Sequence, residues 1–156
     1  MRKSRQLEVA NVTRGTVLGS EIRIANTALT RLVGLLGDSQ LPPGHGLLIE
    51  PSSGVHTFGM RFPIDVVALD RHLCVRGVWE NLGPFRIAAV GLKTHKVLEL
   101  PVGAIRHSRT QVNDQLVLQK PGTIVAELHP ANGPRSAPEP ADSINRTARS
   151  IEGEQP

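Results

Sequence analysis

The sequence predicts an all-β domain, a mainly antiparallel sandwich or partly open barrel, that carries one short α-helix near residues 27–36. Three observations support this fold class. Seven or more short apolar stretches follow one another at short spacings, turns rich in Gly and Pro separate them, and one stretch has a sustained helical period. A parallel α/β sheet would need a helix between most of its strands, so that class is disfavoured.

The first two strands are predicted to form a hairpin. The stretches QLEVANV and TVLGSEIRIAN alternate apolar and polar residues with a period of two, and TRG between them supplies a turn. Such alternation is typical of strands that bury one face. We therefore expect residues 6–12 and 16–26 to be antiparallel neighbours.

The helix is predicted from a change of period. In NTALTRLVGLLGDS the apolar residues Leu29, Leu32, Val33 and Leu36 recur at helical spacing. Asparagine or threonine before this stretch is placed to cap its start, and a glycine after it is placed to end it. This is the one substantial helix that the sequence predicts.

The remaining strands follow at short intervals. LPPGHG and PSSG indicate turns, and DRH is compatible with a hairpin link. The irregular segment NLGPFRIAAVGLKTHK favours a loop, and VGAIRHSRT is compatible with one helical turn. The predicted strands lie in LLIE, VHTF, RFPIDVVALD, LCVRGVWE, KVLELP and VNDQLVLQ.

The chain of 156 residues suits one domain followed by a tail. Residues 5–120 carry the periodic apolar pattern. Residues 121–156 are predicted to be extended and disordered, because the sequence from Pro130 onward is rich in Pro, Ala, Ser and charge. The folded part is large enough to bury a core without disulfides, in agreement with the single cysteine, Cys74.

Composition restricts the function classes. Lys and Arg total 18 against 14 Asp and Glu, and aromatic residues make up only 3%. A nucleic-acid binder would show a dense basic stripe with aromatic platforms, so that class is disfavoured. The apolar runs are far shorter than the roughly 18 residues that span a bilayer, and the first residues lack the apolar stretch of a signal peptide. We therefore expect a cytoplasmic protein without a membrane anchor.

A polar constellation interrupts the apolar pattern in VHTFGMRFPIDVV, which contains His56, Arg61 and Asp65. Strand alternation places Asp65 on one face with Val67 and Leu69. A carboxylate among apolar neighbours is either buried with a partner or lies at the rim of a pocket, because an unpaired buried carboxylate is too costly. Arg61 and His56 are candidate partners. A purely structural pairing that pins a loop is the alternative to a functional site.

Other chemistries have less support. His56 and Asp65 are two legal metal ligands, but no HxH, HExxH or paired-cysteine spacing supplies the others, so no metal or other cofactor is predicted. Cys74 lies within a predicted strand, where a small buried thiol is the usual outcome. The sequence has no glycine motif that binds phosphate. Its spacing does not indicate that Asp65 meets Glu80 or Glu99 as a pair of carboxylates.

The motifs GLLGDSQLPPGHGLLIEP, VHTFGMRFPIDVVALD and LELPVG resemble the bacterial and archaeal family called domain of unknown function 192, over roughly residues 7–120. The resemblance implies a mostly β, sandwich-like domain with a short helix, and it implies no activity. The sequence departs from the family pattern in RTQVNDQLVL, where Asn113 stands before Asp114 in place of Gly. Asn also tolerates left-handed φ, so a tight turn is still expected.

The sequence favours a small, non-enzymatic binding or interaction module. Arg61 would hold an anionic group of a small ligand or a protein partner, while His56 and Asp65 would fix its orientation and Met60 and Phe62 would form the walls. The candidate ligand-binding residues are His56, Thr57, Met60, Arg61, Asp65, Glu80 and Asn81.

Two other function classes stay open. In a hydrolase, His56 would act as general base or metal ligand and Asp65 would orient it, although no nucleophile or full ligand set is evident. A structural partner of a larger assembly would instead expose an apolar patch.

Overall fold

The computed structural model describes residues 6–26, 35, 39–88, 91 and 93–123. Within these residues no helix is long and apolar enough to cross a membrane. The secondary structure of these residues consists of the strands β1 (Gln6–Asn11), β2 (Thr16–Ala25), β3 (His45–Ile49), β4 (Val55–His56), β5 (Ile64–Leu69), β6 (Val75–Leu82), β7 (Ile87–Ala88), β8 (Lys96–Leu100) and β9 (Leu116–Gln119), and of the helix α1 (Ala104–Ser108).

Seven strands form one curled sheet, a half-barrel, in the order β6-β5-β8-β3-β2-β1-β9. Neighbouring strands are antiparallel except for β2 and β3, which run parallel. A parallel pair needs a long connection, and residues 26–44 supply it. β4 and β7 pair only with each other in a separate antiparallel ribbon. The all-β prediction and the first hairpin are confirmed.

The predicted helix near residues 27–36 lies outside the described residues except for Leu35, which is buried. Most of the predicted tail, residues 124–156, also lies outside them. The single turn predicted in VGAIRHSRT is confirmed, because α1 occupies its centre.

The large sheet buries apolar side chains on both faces, because strand alternation directs neighbouring residues to opposite sides. On the first face α1 packs against the sheet through Ile105. On the second face the β4–β7 ribbon contributes Val55 and Ala88. The first core includes Val9, Leu18, Ile22, Leu48, Val67, Leu69, Leu98, Leu100 and Leu116, and the second includes Ala25, Leu47, Ile49, Ile64, Val66 and Val97.

A buried polar network joins the β1–β2 hairpin to the loop before β9. The carboxylate of Asp114 accepts hydrogen bonds from the Asn11 amide (2.8 Å), the Arg14 guanidinium (3.0 Å) and the Gln111 N–H (2.9 Å). Burial alone would raise the pKa of Asp114, but these donors outweigh it and hold the pKa below its usual value. Asn113 has a φ of 73°, in the left-handed region that the sequence predicted for the turn at Asn113 and Asp114.

A second carboxylate fixes the β5–β6 hairpin. Asp70 accepts the backbone N–H groups of His72 at 2.8 Å and Cys74 at 3.0 Å, and Arg76 donates to its other oxygen. Burial alone would raise the pKa of Asp70, but these hydrogen bonds outweigh it and lower the pKa below its usual value. The predicted hairpin link DRH is therefore a turn held by the side chain that precedes it.

Candidate functional site

Asp65 is fully buried in β5, on the face shared with Val67 and Leu69 that alternation predicted. Its Oδ1 accepts the backbone N–H of Asn81 at 2.9 Å, and its Oδ2 accepts those of Gly103 and Ile105, each at 3.0 Å. All three hydrogen bonds to this carboxylate within the described residues come from backbone groups, and none comes from the Arg61 or His56 side chains. Asp65 therefore ties the end of β6 to the start of α1.

Glycine makes this arrangement possible at the start of α1. Gly103 has a φ of 94°, in the left-handed region that favours glycine, and it occupies the N-cap position of the helix. The turn brings the N–H groups of Gly103 and Ile105 to the same oxygen of Asp65. The carboxylate thus satisfies donors that a helix start otherwise leaves without partners.

Thr57 is also fully buried, and it fixes a different segment. Its hydroxyl donates to the Gly83 carbonyl at 2.7 Å and accepts the Arg86 N–H at 2.9 Å. Its backbone carbonyl accepts the Phe85 N–H at 3.0 Å. Residues 83–86 are therefore held against Thr57 by side-chain and backbone hydrogen bonds together.

The structure brings Asp65 and Thr57 to the same segment, residues 81–86. Asp65 binds the backbone of this segment at Asn81, and Thr57 binds it from Gly83 onward. Asn81 itself is exposed with a φ of 52°. Glu80, just before it, forms an exposed ion pair with Arg106 of α1 at 3.5 Å. The Glu80–Asn81 segment therefore contacts Asp65, another residue that the sequence predicted for the site, through the backbone N–H of Asn81.

The β4–β7 ribbon separates buried from exposed side chains. Val55 pairs with Ala88, and both are buried in the second core. His56 pairs with Ile87, and both side chains are exposed. Met60, expected from the sequence to line a pocket, is buried in the same core as Val55. The ribbon thus presents His56 and Ile87 to solvent.

Two exposed phenylalanines, Phe58 and Phe85, lie next to this outward pair. Phe58, Phe85 and Ile87 are 46%, 67% and 69% exposed. The ring centroids of His56 and Phe58 are 5.5 Å apart, and those of Phe58 and Phe85 are 6.5 Å apart. We call His56, Phe58, Phe85 and Ile87 the aromatic patch.

Phe85 is held in an uncommon conformation. Its φ of 57° lies in the left-handed region, which a bulky residue rarely adopts. The hydrogen bond from its N–H to Thr57 helps to hold this geometry. Its ring gains little burial there. The backbone conformation therefore leaves the ring of Phe85 exposed to solvent.

Two arginines lie next to the patch in the sequence. Arg61 follows Phe58 by three residues and Arg86 directly follows Phe85, and both are exposed. Within the described residues neither guanidinium has an ion-pair partner. Of the acids close to them in sequence, Asp65 binds backbone N–H groups and Glu80 binds Arg106. The two exposed arginines are therefore neighbours of the patch along the chain.

Glu99 lies on the other face of the sheet from Asp65. Asp65 pairs with Leu100, and Glu99 lies beside Leu47 and Val66. Burial, opposed by Arg23, raises the pKa of Glu99 to about 7. Asp65 and Glu99 therefore do not form a pair of carboxylates for acid–base catalysis.

Packing and strand pairing place the side chains of Trp79 and Cys74. Trp79 packs on the second core, and a Cβ on Gly77 would lie 2.6 Å from its indole ring. Cys74 is partly buried and forms an isolated β-bridge with Gln115. Among the described residues, no three His, Cys, Asp or Glu side chains are grouped to hold a metal ion.

An apolar cleft of about 250 Å³ lies between α1 and the turn before β3. His107 contributes its polar ring, and the ring Nδ1 is 2.6 Å from the Gly103 carbonyl oxygen. None of the sequence-predicted site residues lines this cleft. Its lining consists of Val17, Leu18, Pro43, Gly44, Pro101, Val102, Ala104 and His107.

Sequence reasoning did not single out Phe58, Phe85, Arg86 or Ile87. One signal was available for Phe58, because alternation in VHTF places it on the same side as His56. No local pattern identified the other three, since they lie in a segment without clear periodicity. The patch becomes evident only when β7 pairs with β4.

The fold is shared with two solved structures. A protein of unknown function from Novosphingobium aromaticivorans is 16% identical, with a TM-score of 0.63, and the alignment covers 72% of this chain and 83% of that one. A protein from Sinorhizobium meliloti described as a candidate transcription regulator is 20% identical, with a TM-score of 0.62, and the alignment covers 74% of this chain and 94% of the other. Identities this low establish similarity of fold alone.

No functionally curated protein matches this chain significantly. The sequence does match the profile of one family, DUF192, described as uncharacterized ACR, over residues 9–118. This range contains every strand from β2 to β8, the helix α1 and both phenylalanines of the aromatic patch. The match confirms the resemblance seen in the sequence, and the chain belongs to the DUF192 family.

Proposed function

We propose that this protein is a non-enzymatic interaction module that binds a protein partner through the aromatic patch. The observation that carries the proposal is the clustering of exposed rings. The chain has only three phenylalanines and one tryptophan, yet two of the phenylalanines lie in contact on the surface. Large exposed apolar clusters on soluble domains mark interaction sites, and aromatic residues contribute most to such interfaces.

The backbone around the patch supports this proposal. A loop without a binding role would be expected to place a small or polar residue at the left-handed position of Phe85. Here the loop holds a phenylalanine in that conformation and exposes 67% of it. Strained positions of this kind concentrate at sites of function.

The residues suggested by the sequence take two roles in this proposal. His56 and Arg61 belong to the contact surface. Thr57 and Met60 lie beneath it, and Asp65, on the other face of the sheet, binds the backbone of Asn81 at the start of the segment that carries Phe85. A preorganised surface binds with less loss of conformational freedom, so the buried residues contribute to affinity without touching the partner.

The hydrolase alternative receives no specific support. His56 is exposed beside Phe58, and the carboxylate that would orient it is bound to three backbone N–H groups. Our proposal includes a cytoplasmic location, for which Cys74, the single cysteine of the chain, is the supporting observation.

The test is a selection of random peptides displayed on phage against the full chain. Selected peptides should bind the wild type at least about tenfold more tightly than the Phe85→Asn variant, because loss of a central aromatic ring removes a large part of the binding free energy. Asn suits a left-handed φ, so this variant should keep the unfolding midpoint of the wild type.

Val112→Ser is the matched control, because Val112 is a similarly exposed apolar residue outside the patch. It should bind the selected peptides as the wild type does. Selected peptides that bind Phe85→Asn as tightly as the wild type would contradict the proposal. A selection that enriches no peptide would contradict it as well.

A further inference from the structure

We infer that the partner of the aromatic patch is an extended peptide segment that pairs, as an added strand, with the outer edge of β7, the edge that faces away from β4. This inference rests on the proposed function and specifies how the same surface holds its partner. It is carried by the direction of the backbone groups of Ile87 and by the arrangement of the patch side chains beside them.

The N–H of Ile87 points away from β4. The carbonyl of Arg86 accepts the Thr57 N–H at 2.9 Å and therefore points toward β4. In a trans peptide the carbonyl of one residue and the N–H of the next point in opposite directions, so the Ile87 N–H lies on the outer side of the ribbon. The strand pairing agrees, because Ile87 lies opposite His56 in the kind of antiparallel pair that exchanges no hydrogen bonds.

The carbonyl of Ile87 lies on the same outer side. In the antiparallel ladder the next residue, Ala88, pairs with Val55 and directs its own N–H and carbonyl toward β4. Within the described residues, the N–H and the carbonyl of Ile87 have no hydrogen-bond partner. Unpaired groups of this kind at a strand edge are a template for another chain. Ile87 can therefore exchange two hydrogen bonds with one residue of a partner strand.

The exposure of the side chains identifies β7 as the accessible edge of the ribbon. Along β4 and the residue after it, exposed His56 lies between buried Val55 and Thr57, as in a strand with one covered face. At the start of β7, Arg86 and Ile87 are both exposed, although alternation directs them to opposite faces. A strand that exposes both faces lies at the rim of the fold, so a partner can reach its edge.

The patch side chains form two rows across the ribbon. His56 lies opposite Ile87 in one row, and Phe58 lies beside Phe85 in the other, with ring centroids 6.5 Å apart. A partner residue that pairs with Ile87 directs its side chain to the same face, with Cβ atoms about 4.5–5.5 Å apart. Partner residues two positions away share that face and extend the contact toward Phe85. The partner therefore carries large apolar side chains at alternate positions.

The edge selects a strand over a helix. A helix bonds its own backbone groups internally, so a helix that covered the patch would bury the N–H and carbonyl of Ile87 without supplying partners. A buried backbone group without a partner costs about as much as a lost hydrogen bond. An extended segment supplies both partners and places alternate side chains on the patch.

The test compares four pools of labelled peptides with the full-length protein by fluorescence anisotropy. Peptides of the strand pool have about seven residues, a common strand length, with Phe, Val or Leu at alternate positions and Thr or Gln between them. The helix pool has the same composition with its apolar residues at helical spacing. The other two are strand pools with N-methyl groups on the backbone amides, of the apolar positions in one and of the polar positions in the other.

The strand pool should bind the wild type at least about tenfold more tightly than the helix pool. Peptide residues whose side chains lie on the patch also direct their N–H groups to β7, so N-methylation of the apolar positions should weaken binding at least about tenfold. N-methylation of the polar positions, whose N–H groups point away from this edge, should weaken binding much less.

Two substitutions test the edge from the side of the protein. Ile87→Pro removes the outward N–H and breaks no hydrogen bond of the ribbon, and proline is tolerated on edge strands. Ile87→Ala is the matched control, because it keeps the N–H and removes most of the side chain. Ile87→Pro should bind the strand pool at least about tenfold more weakly than Ile87→Ala, with an unchanged unfolding midpoint. The N-methylated pools carry the test if Ile87→Pro does not fold.

The failures are distinguishable. Equal binding of the strand and helix pools, or equal effects of the two N-methylations, with binding weakened by Phe85→Asn, would overturn strand addition and leave the proposed function standing. Equal binding of the strand pool by folded Ile87→Pro and Ile87→Ala would do the same. Peptide binding that is indifferent to Phe85→Asn, or absent from every pool up to about 1 mM, would overturn both.

Discussion

At the scale of single residues, a buried carboxylate must find donors wherever the fold places it. Asp65 finds three backbone N–H groups, from the end of β6 and the start of α1. A carboxylate has enough lone pairs for all of them and offers them no competing donor. Its role in the fold is therefore specific to an acid of this length at this position.

We predict that Asp65→Asn lowers the free energy of unfolding by about 2–4 kcal/mol. The amide keeps one oxygen as an acceptor, but its NH₂ group faces N–H donors that then have no acceptor. Urea denaturation measures the change. Glu80→Gln, which alters an exposed ion pair, is the control and should change stability by less than about 1 kcal/mol. A similar small loss in both variants would contradict the role assigned to Asp65.

At the scale of elements, the β4–β7 ribbon is too short to be stable alone. Each of its strands has only two residues, and isolated hairpins are marginal in water. Val55 and Ala88 anchor the ribbon in the second core, and the Thr57 hydroxyl binds the Gly83 carbonyl just before β7. The aromatic patch keeps its shape through these contacts, because its own side chains are largely exposed.

We predict that Thr57→Val costs about 1–3 kcal/mol of unfolding free energy. Valine keeps the shape of the side chain but leaves the Gly83 carbonyl and the Arg86 N–H without their partner. Hydrogen exchange should accelerate at residues 83–88 more than in β5 or β8, since only the ribbon loses its support. Uniform acceleration across the large sheet, or none, would show that Thr57 does not fix this segment.

At the scale of the whole molecule, buried acids give opposite dependences on pH. Asp70 and Asp114 have a lowered pKa, so the stability they contribute is present above their ordinary value of 3.8 and is lost as the pH falls below it. Glu99 has a pKa raised from 4.5 to about 7. Its contribution is present below pH 4.5 and is lost as the pH rises through 7. The combined contribution of these three groups to stability is therefore largest on the acidic side of neutrality.

We predict that Glu99→Gln removes the decline in the free energy of unfolding that the wild type shows as the pH rises through 7. Between about pH 4.5 and 8 the wild type should lose about 3 kcal/mol relative to this variant, because only the wild type must bury a charge there. Denaturant unfolding at several pH values measures the difference. Asp114→Asn is the matched comparison. It should change the dependence of the unfolding free energy on pH below about pH 4 and leave the dependence near pH 7 unchanged. A Glu99→Gln curve parallel to that of the wild type would contradict the prediction.

The sequence by itself determined the fold class, most of the strands, the turn at Asn113 and the face on which Asp65 lies. All of these follow from local rules, because alternation assigns faces and turn chemistry permits particular φ values. The family also followed from local motifs.

Only the tertiary structure decided which groups meet. Asp65 binds backbone N–H groups of Asn81, Gly103 and Ile105, and Phe85 joins Phe58 because β7 pairs with β4. Backbone donors are present at every position except proline, so no residue type in the sequence signals them. Contacts between distant segments depend on loop closure and register, which are properties of the whole chain. The partners of the polar residues, and with them the patch, could therefore be found only in the folded molecule.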